Sequence, residues 1–387
     1  MLFSKNPDDI QRFVNMPADR RRLIDESPAA PVTADYAVNK LSRSLHPLYV
    51  WGKIVAITPA GRDCKTLRLQ SMSQSGRFPY FSAGQYVTLS ANVGSSFICR
   101  PYSVSSSPKE ATKGILEVTV QQRGVFSTYL TTQAKVGDVL LVGEPDGAFY
   151  YDSLRDRRHI VAIAGGSGVT PFISMVKSLQ EGSDDFDLTL IYGAKTRKDL
   201  LIDYGGVKCG KVKLAIVLSD EKIDGYEHGL ISAEIINKYA PSDYSLFMCG
   251  PNALYDYVAG EIPKLINAPR SVRRDHNCIG DRTAAENRTF KLTVHIRDSV
   301  TVIPARENET LATAMERAGL RVPLKCRAGG CGYCHSRLIA GEYFVNPKDE
   351  HRRKADLKFG YIHPCCTYPC SDMEIDVPPL PFEEAKV

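Results

Sequence analysis

Four cysteines constrain this chain more than any other feature. Cys326, Cys331 and Cys334 follow the spacing Cys-x4-Cys-x2-Cys within Cys326-Arg327-Ala328-Gly329-Gly330-Cys331-Gly332-Tyr333-Cys334, and Cys365 comes after thirty intervening residues. Three clustered thiolates and one distant thiolate fit a [2Fe-2S] centre; four-iron centres use shorter, repeated spacings. The small residues between the first two cysteines let the backbone wrap closely round a cluster. They also let N–H groups point at its sulfurs, which stabilises an added electron.

At 387 residues the chain is too long for one ordinary core, so two or three domains are expected. A hydrophobic content of 43% with 24% charged residues is that of a soluble globular protein. The formal charge of +5 is small for this length and gives no case for nucleic acid or an anionic membrane as partner. No window approaches 18 consecutive apolar residues, and the start MLFSKNPDDIQRF lacks the apolar run of a signal peptide. The eleven cysteines are therefore read as thiols of a reducing, cytoplasmic setting rather than a disulfide framework. Cys64, Cys99 and Cys209 are read as ordinary semi-buried thiols.

The chain changes texture along its length. Residues 1–45 form an extension: DDIQRFVNMPADRRRLIDE suits one or two short amphipathic helices interrupted at Pro17, and Pro28 and Pro31 end the pattern. Residues 46–152 carry short β-branched strands (YVWGKIVAI, KTLRLQS, QYVTLSA, ILEVTVQQ, DVLLVGEP), as in an antiparallel β-barrel. Residues 153–280 carry continuous apolar strands (RHIVAIAGG, LTLIYGA, VKLAIVLS, YSLFMCG) alternating with helical stretches, as in an α/β parallel sheet. A polar linker is expected at 281–290. In 291–387, TFKLTVHIRD and SVTVIP precede the helical ETLATAMERAGL and the cysteine loop, an order that suits a β-grasp domain.

Three further segments carry candidate chemistry. Arg100-Pro101-Tyr102-Ser103 supplies a cation for a flavin phosphate, a flat neighbour for the ring and a hydroxyl, although alone it equally fits an exposed strand edge. Gly124-Val125-Phe126-Ser127-Thr128 opens a helix whose free N–H groups and two hydroxyls can hold a pyrophosphate; the plainer alternative is a helix cap. Gly165, Gly166 and Gly168, followed by Thr170 and Pro171, lie between a strand and a helix, where glycine lets a dinucleotide approach the backbone. The Gly-x-Gly-x-x-Gly fingerprint is absent. Cys249-Gly250-Pro251 ends a later strand, which sets both glycine segments on one rim of an open sheet; in isolation Cys249 reads as a buried thiol.

Taken together these motifs resemble the ferredoxin–NADP reductase superfamily of flavoproteins, joined to a C-terminal plant-type ferredoxin domain. The chain is similar to the reductase components of oxygenases and hydroxylases over roughly residues 48–372. The resemblance implies that Arg100, Pro101, Tyr102 and Ser103 bind flavin and that Gly124, Ser127 and Thr128 support its phosphates. It implies that Gly165–Pro171 is the nicotinamide loop, with Thr170 close to the nicotinamide, and that Cys249, beside Gly250 and Pro251, faces the hydride path. It places Cys365 as fourth cluster ligand beside Cys326, Cys331 and Cys334. FAD is expected because Val104-Ser105-Ser106 follows Arg-Pro-Tyr-Ser as in FAD-binding members. NADH is expected because Asp220 and Glu221 follow Ser219, where NADPH-specific members carry an Arg; two carboxylates repel a 2′-phosphate. Lys195, Arg197 and Lys198 lie on the preceding loop.

Two features depart from the family pattern. Asp275-His276-Asn277-Cys278 stands where many relatives place an aromatic cover over the flavin, and Cys366 stands where the residue after the fourth ligand is commonly Gln. Cys366 and Cys370 are read as bystanders. Cys331-Gly332-Tyr333-Cys334-His335 matches a haem-attachment pattern, but that reading leaves Cys326 and Cys365 unused. Four thiolates also suit zinc, an odd terminus for a flavin–nicotinamide unit. His335 and His363 flank ligands as in a Rieske centre, yet four cysteines make them unnecessary. The function expected is transfer of electrons from NADH through FAD and a [2Fe-2S] cluster to a partner oxygenase, hydroxylase or other redox protein. Reduction of NAD⁺ by a low-potential donor, and a non-catalytic redox-sensing or scaffolding subunit, are the alternatives.

Overall fold

The computed structural model describes residues 7–26, 38, 41–42, 47–275, 282 and 288–380. The chain divides into two compact units, Met1–Pro47 and Leu48–Val387. In the first, α1 (Pro7–Glu26) is one uninterrupted helix with Pro17 inside it, not a helix broken there. Proline removes one backbone donor, but its fixed φ is helical, so the turn continues at the cost of one hydrogen bond.

The second unit contains three main sheets. β1 (Tyr49–Pro59), β2 (Cys64–Ser71), β3 (Tyr86–Val93), β4 (Ser96–Ser103), β5 (Ile115–Gln121) and β6 (Val139–Gly143) pair antiparallel in the order β4-β3-β6-β1-β2-β5. The two edge strands meet where Val104 bridges Val118, which curls the sheet into the expected barrel. Strand periodicity fills it: Leu67 and Leu69 are fully buried on either side of Arg68, and Val87 and Leu89 join them from β3. Two short helices, α2 (Pro108–Thr112) and α3 (Val125–Thr128), flank β5.

β7 (His159–Gly165), β8 (Asp187–Ala194), β9 (Val212–Leu218), β10 (Glu227–His228), β11 (Ser245–Cys249) and β12 (Val272–Arg274) form an all-parallel sheet ordered β10-β9-β8-β7-β11-β12. Both faces are covered, which explains the unbroken apolar runs. Ile160, Ala162 and Ala164 enter one core and Val161 and Ile163 the other. The helices are α4 (Thr170–Gln180), α5 (Ala233–Tyr239) and α6 (Asn252–Glu261). The strand order reverses between β7 and β11, so the ligand crevice expected of such a sheet opens at the ends of those two strands.

β13 (Thr289–Ile296) begins two residues inside the range expected to be linker. With β14 (Ser299–Arg306), α7 (Leu311–Arg317), β15 (Ser336–Ala340), β16 (Tyr343–Phe344), α8 (Lys354–Lys358), β17 (Tyr361–Ile362), β18 (Tyr368–Pro369) and β19 (Met373–Asp376) it forms the C-terminal domain. Its main sheet runs β14-β13-β19-β15-β17, with β13 and β19 parallel, and β16 pairs with β18. α7 buries Leu311, Ala312, Ala314 and Met315 against the sheet, and the cysteine loop lies between α7 and β15. Cys99 of β4 packs into this third core and sends its thiol to the Leu324 carbonyl at 3.4 Å, so the barrel edge and the cluster domain share an interior.

Candidate redox site

β4 carries Arg100, Pro101, Tyr102 and Ser103 opposite Leu89, Thr88, Val87 and Tyr86 of β3. Strand alternation puts Arg100 and Tyr102 on one face. The Tyr102 ring lies 6.4 Å from Phe126, which stacks on Tyr129 at 6.1 Å. That aromatic row joins β4 to the Gly124–Thr128 turn, so the two flavin motifs meet. Burial pushes the Tyr102 phenol well above its ordinary value, keeping it a neutral donor. The buried Ser127 hydroxyl accepts the N–H groups of Arg123 and Gly124, each at 2.9 Å, and donates to the Gly124 carbonyl at 3.0 Å. Ser127 therefore shapes the turn; Thr128 is half-buried beside it.

Arg100 has a partner the sequence did not disclose. Its Nη1 donates to the Cys99 carbonyl at 2.7 Å and to both oxygens of Glu316, on α7, at 2.9 Å. Glu316 also accepts the Cys99 N–H at 3.0 Å. Burial and then the like charge of Arg327 pull the Arg100 guanidinium below its ordinary range.

At the crevice of the parallel sheet the two glycine segments touch. Cys249 lies opposite Ala164 in the β7–β11 ladder. A Cβ on Gly168 would sit 2.3 Å from the Cys249 carbonyl oxygen and 2.6 Å from the Gly250 nitrogen, so only glycine permits this approach. Gly166, at φ +53°, faces open space. The Thr170 hydroxyl donates to the Ser167 carbonyl at 3.0 Å and starts α4. The Cys249 thiol is 4% exposed and reaches Asp275 Oδ2 at 3.6 Å. Gly250 N–H donates to the Tyr255 hydroxyl, which donates to the Asp275 carbonyl at 2.6 Å. Asp275 thus ties the end of β12 to Cys249 and Tyr255; His276, Asn277 and Cys278 lie outside the described residues.

α4 reaches the flavin strand through its neighbours. Ser174 Oγ donates to the Ser106 carbonyl at 2.7 Å, three residues beyond Ser103, and Lys177 pairs with Glu117 of β5 at 2.8 Å. At the end of β9, Ser219 donates to Asp220 at 2.6 Å and Glu221 accepts the Arg197 N–H at 2.8 Å. The acidic pair therefore stands beside the loop bearing Lys195, Arg197 and Lys198, and a backbone N–H of that loop is committed to Glu221.

The thiols of the cysteine loop and of Cys365 approach one another in pairs. Cys334 and Cys365 are buried with sulfurs 3.4 Å apart. Cys326 Sγ accepts the N–H groups of Ala328 and Cys331 at 3.4 and 3.5 Å, and Cys331 Sγ that of Tyr333 at 3.5 Å. Hydrogen bonding to Cys326, then burial, raises the Cys331 thiol well above its ordinary value. Gly329 and Gly332 take positive φ, and so does Arg327 at +53°, a conformation that costs a non-glycine residue roughly 1–2 kcal/mol. Arg327 is held there by a 2.9 Å charge contact with Glu316, off the axis of a hydrogen bond, and by Nη2 donating to Thr313 Oγ1 at 3.2 Å. Cys366 lies beside Cys365, its thiol donating to the His363 carbonyl at 3.4 Å. His363 is buried with Nδ1 on the Gly329 carbonyl at 2.7 Å. His335 stacks on Tyr361 and bonds Asp356, away from ligand duty.

A cleft of about 740 Å³ is lined by Cys326, Gly330 and Cys331, by Tyr86, Asp146 and Phe149, and by Arg273, Arg274 and Asp275. It joins the cluster loop to the barrel and to the end of the parallel sheet. None of the flavin or nicotinamide residues singled out from sequence lines it; its link to the nicotinamide rim is Asp275, which touches Cys249.

Three family models match successive parts of the chain. They are an oxidoreductase FAD-binding domain over residues 52–151, an oxidoreductase NAD-binding domain over 162–260 and a 2Fe-2S iron–sulfur cluster binding domain over 294–370. The chain is a ferredoxin–NADP-reductase-like reductase fused to a [2Fe-2S] domain. The reductase is similar to the NADH oxidoreductase HCR of Escherichia coli, at 27% identity over 76% of this chain and 88% of that protein. It is similar to the glycine betaine monooxygenase reductase subunit of Chromohalobacter salexigens, at 27% identity over 77% and 87%. Its fold matches phthalate dioxygenase reductase with a TM-score of 0.63 and 21% identity, covering 86% of this chain and 98% of that one.

The residues present fit the three groups. Backbone N–H groups already converge on the thiols of Cys326 and Cys331, the donor pattern a [2Fe-2S] cluster needs at its ligand sulfurs. One buried carboxylate, Glu316, faces two guanidinium groups, Arg100 of β4 and Arg327 of the cysteine loop, so the trio keeps a net positive charge that a flavin phosphate would balance. Open space over Gly166, at the end of β7, leaves room for a dinucleotide at the switch point. The reductase is an NAD(P)H-dependent flavin and iron–sulfur oxidoreductase. Among the described residues no helix is long and apolar enough to cross a membrane.

Proposed function

We propose that the reductase takes electrons from NADH, passes them through FAD and the [2Fe-2S] cluster, and delivers them to a separate oxygenase or hydroxylase. The observation that carries this reading is the cleft in which Cys326 and Cys331 stand with Tyr86 of the barrel and Asp275 of the nicotinamide rim. Cys326 and Cys331, which would hold the cluster, open onto that cleft, and Gly330 and Cys331 are exposed. FAD, which Arg100, Tyr102, Ser103 and the Gly124–Thr128 turn would hold, would supply hydride acceptance from NADH and one-electron release. Relatives named as reductase subunits of monooxygenases match this chain over most of their length, which supports the class of partner.

Roles follow residue by residue. Cys326, Cys331, Cys334 and Cys365 ligate the cluster. Arg100 meets the flavin phosphate, Tyr102 and Ser103 flank the ring, and the Gly124–Thr128 turn supports the phosphates. Gly165, Gly166, Gly168, Gly250 and Pro251 admit the dinucleotide, and Thr170 and Cys249 face the hydride path. Asp220 and Glu221 select NADH over NADPH. No general base is required. The division proposed is 46–152, 153–280 and 291–387, with the third domain moved back to Thr289, where β13 begins. A reducing cytoplasm is the setting proposed, since four of the cysteines are read as cluster ligands, which must be thiolates.

The test is NADH-dependent reduction of cytochrome c by wild-type, Cys365→Ser and Cys366→Ser proteins. Cys365→Ser loses cluster iron and cytochrome c reduction but keeps bleaching of the flavin by NADH; Cys366→Ser keeps all three. Cytochrome c reduction undiminished in an iron-free Cys365→Ser protein would contradict the relay. Cofactors bound without turnover would favour a sensing subunit.

A further inference from the structure

We propose that Glu316 is the positioning residue that couples the flavin strand to the cluster loop. The inference rests on the relay just described. Glu316 lies on α7 of the cluster domain with a side chain only 4% exposed, and its carboxylate has no apolar role to play there. One oxygen or the other meets three groups: Arg100 of the flavin strand, the Cys99 N–H of the same strand, and Arg327, the residue after cluster ligand Cys326. The Cys99 thiol on the Leu324 carbonyl at 3.4 Å and the Arg321 guanidinium over the Phe97 ring at 4.9 Å also tie β4 to this domain, but Glu316 is the side chain that meets both Arg100 and Arg327.

A buried carboxylate is stable only while its partners stay in place, because removing one leaves an uncompensated charge. The contact therefore ties the seat of the cluster loop to the seat of β4. Two other contacts between these domains lie off β4. Lys325 reaches Glu144 and Asp146 at 2.7 and 3.0 Å, and the Tyr49 and Tyr333 hydroxyls lie 3.1 Å apart. Arg327 gives a second sign of purpose: a long cation occupies a left-handed position flanked by glycine-rich chain, and its guanidinium returns to Glu316 rather than to solvent. Coupling of this kind is reciprocal, so flavin seated on Arg100 also steadies the cluster loop.

Holo-protein carrying Glu316→Gln, and separately Arg327→Gln, is to be mixed anaerobically with NADH in a stopped-flow instrument, with flavin and iron–sulfur absorption followed separately. Glu316→Gln should slow flavin-to-cluster transfer about tenfold, while flavin reduction by NADH slows far less. The cluster's own low-temperature resonance spectrum should stay that of wild type, which a general loss of structure would not allow. Arg327→Gln, which spares the barrel, should give the same split, and the double variant should be no slower than either single one. Wild-type transfer rates in both variants would overturn the proposal, as would equal slowing of the two steps. Wild-type holo-protein whose flavin is reduced but whose cluster never is would instead overturn the relay, and the proposal with it.

Discussion

In the proposed function, coenzyme choice turns on Asp220. It follows β9, receives the Ser219 hydroxyl at 2.6 Å, and precedes Glu221, which is fixed by the Arg197 N–H. A 2′-phosphate brought to this strand end meets two carboxylates, and Arg197 is held close to one of them. Asp220→Ala should raise kcat/KM with NADPH about tenfold, equivalent to ~1.4 kcal/mol, and change that with NADH little. Initial-rate kinetics with both coenzymes check it, and an unchanged ratio would place specificity elsewhere. At this scale the sequence was informative wherever chemistry demands adjacency: the cysteine loop and the Arg-Pro-Tyr-Ser strand are contiguous and were legible. Glu316 was not. In ATAMERAGL a lone Glu looks like any solvated helix residue, and its buried partners lie 216 residues upstream on Arg100 and 11 downstream on Arg327. Ser127 reads from sequence as a phosphate ligand, yet its hydroxyl is spent on its own turn.

Between elements, the barrel and the nicotinamide helix are joined by Glu117 of β5, which meets Lys177 of α4 and Arg68 of β2. Burial alone would raise the Glu117 carboxyl, but Lys177 and Arg68 outweigh it and hold it below its ordinary value of 4.5. A depressed folded-state value means that this stabilisation is fully present above 4.5 and is lost as pH falls through the folded-state value. Stability of the wild-type protein should therefore fall more steeply below pH 4.5 than that of Glu117→Gln, measured by thermal melts across pH. Parallel acid profiles would contradict the assignment. The long strands β1–β3, β5–β9, β11, β13 and β14 were legible because five or more residues show either alternation or a continuous apolar run. β10, β12 and β16–β18 have two or three residues each, too few to carry a period, and tertiary pairing alone defines them. Pro17 misled for the opposite reason: a strong local signal was overridden by the helix on both sides of it.

For the molecule as a whole, the three cofactor motifs identify the carriers but not how the domains meet. Docking rests on single contacts between distant residues, such as Lys325 with Glu144, Cys99 inside the third core, and Glu316 between two arginines. No local pattern announces these. The cleft bounded by Cys331, Tyr86 and Asp275 likewise joins residues far apart in the chain and has no local signature. The most direct measurement is an anaerobic titration of freshly purified protein with NADH and, separately, NADPH, following the visible spectrum and identifying released flavin by mass. The account predicts FAD, and prompt loss of both flavin and iron–sulfur absorption at lower concentrations of NADH than of NADPH. Bleaching of flavin with no iron–sulfur signal, even after anaerobic reconstitution, would contradict it.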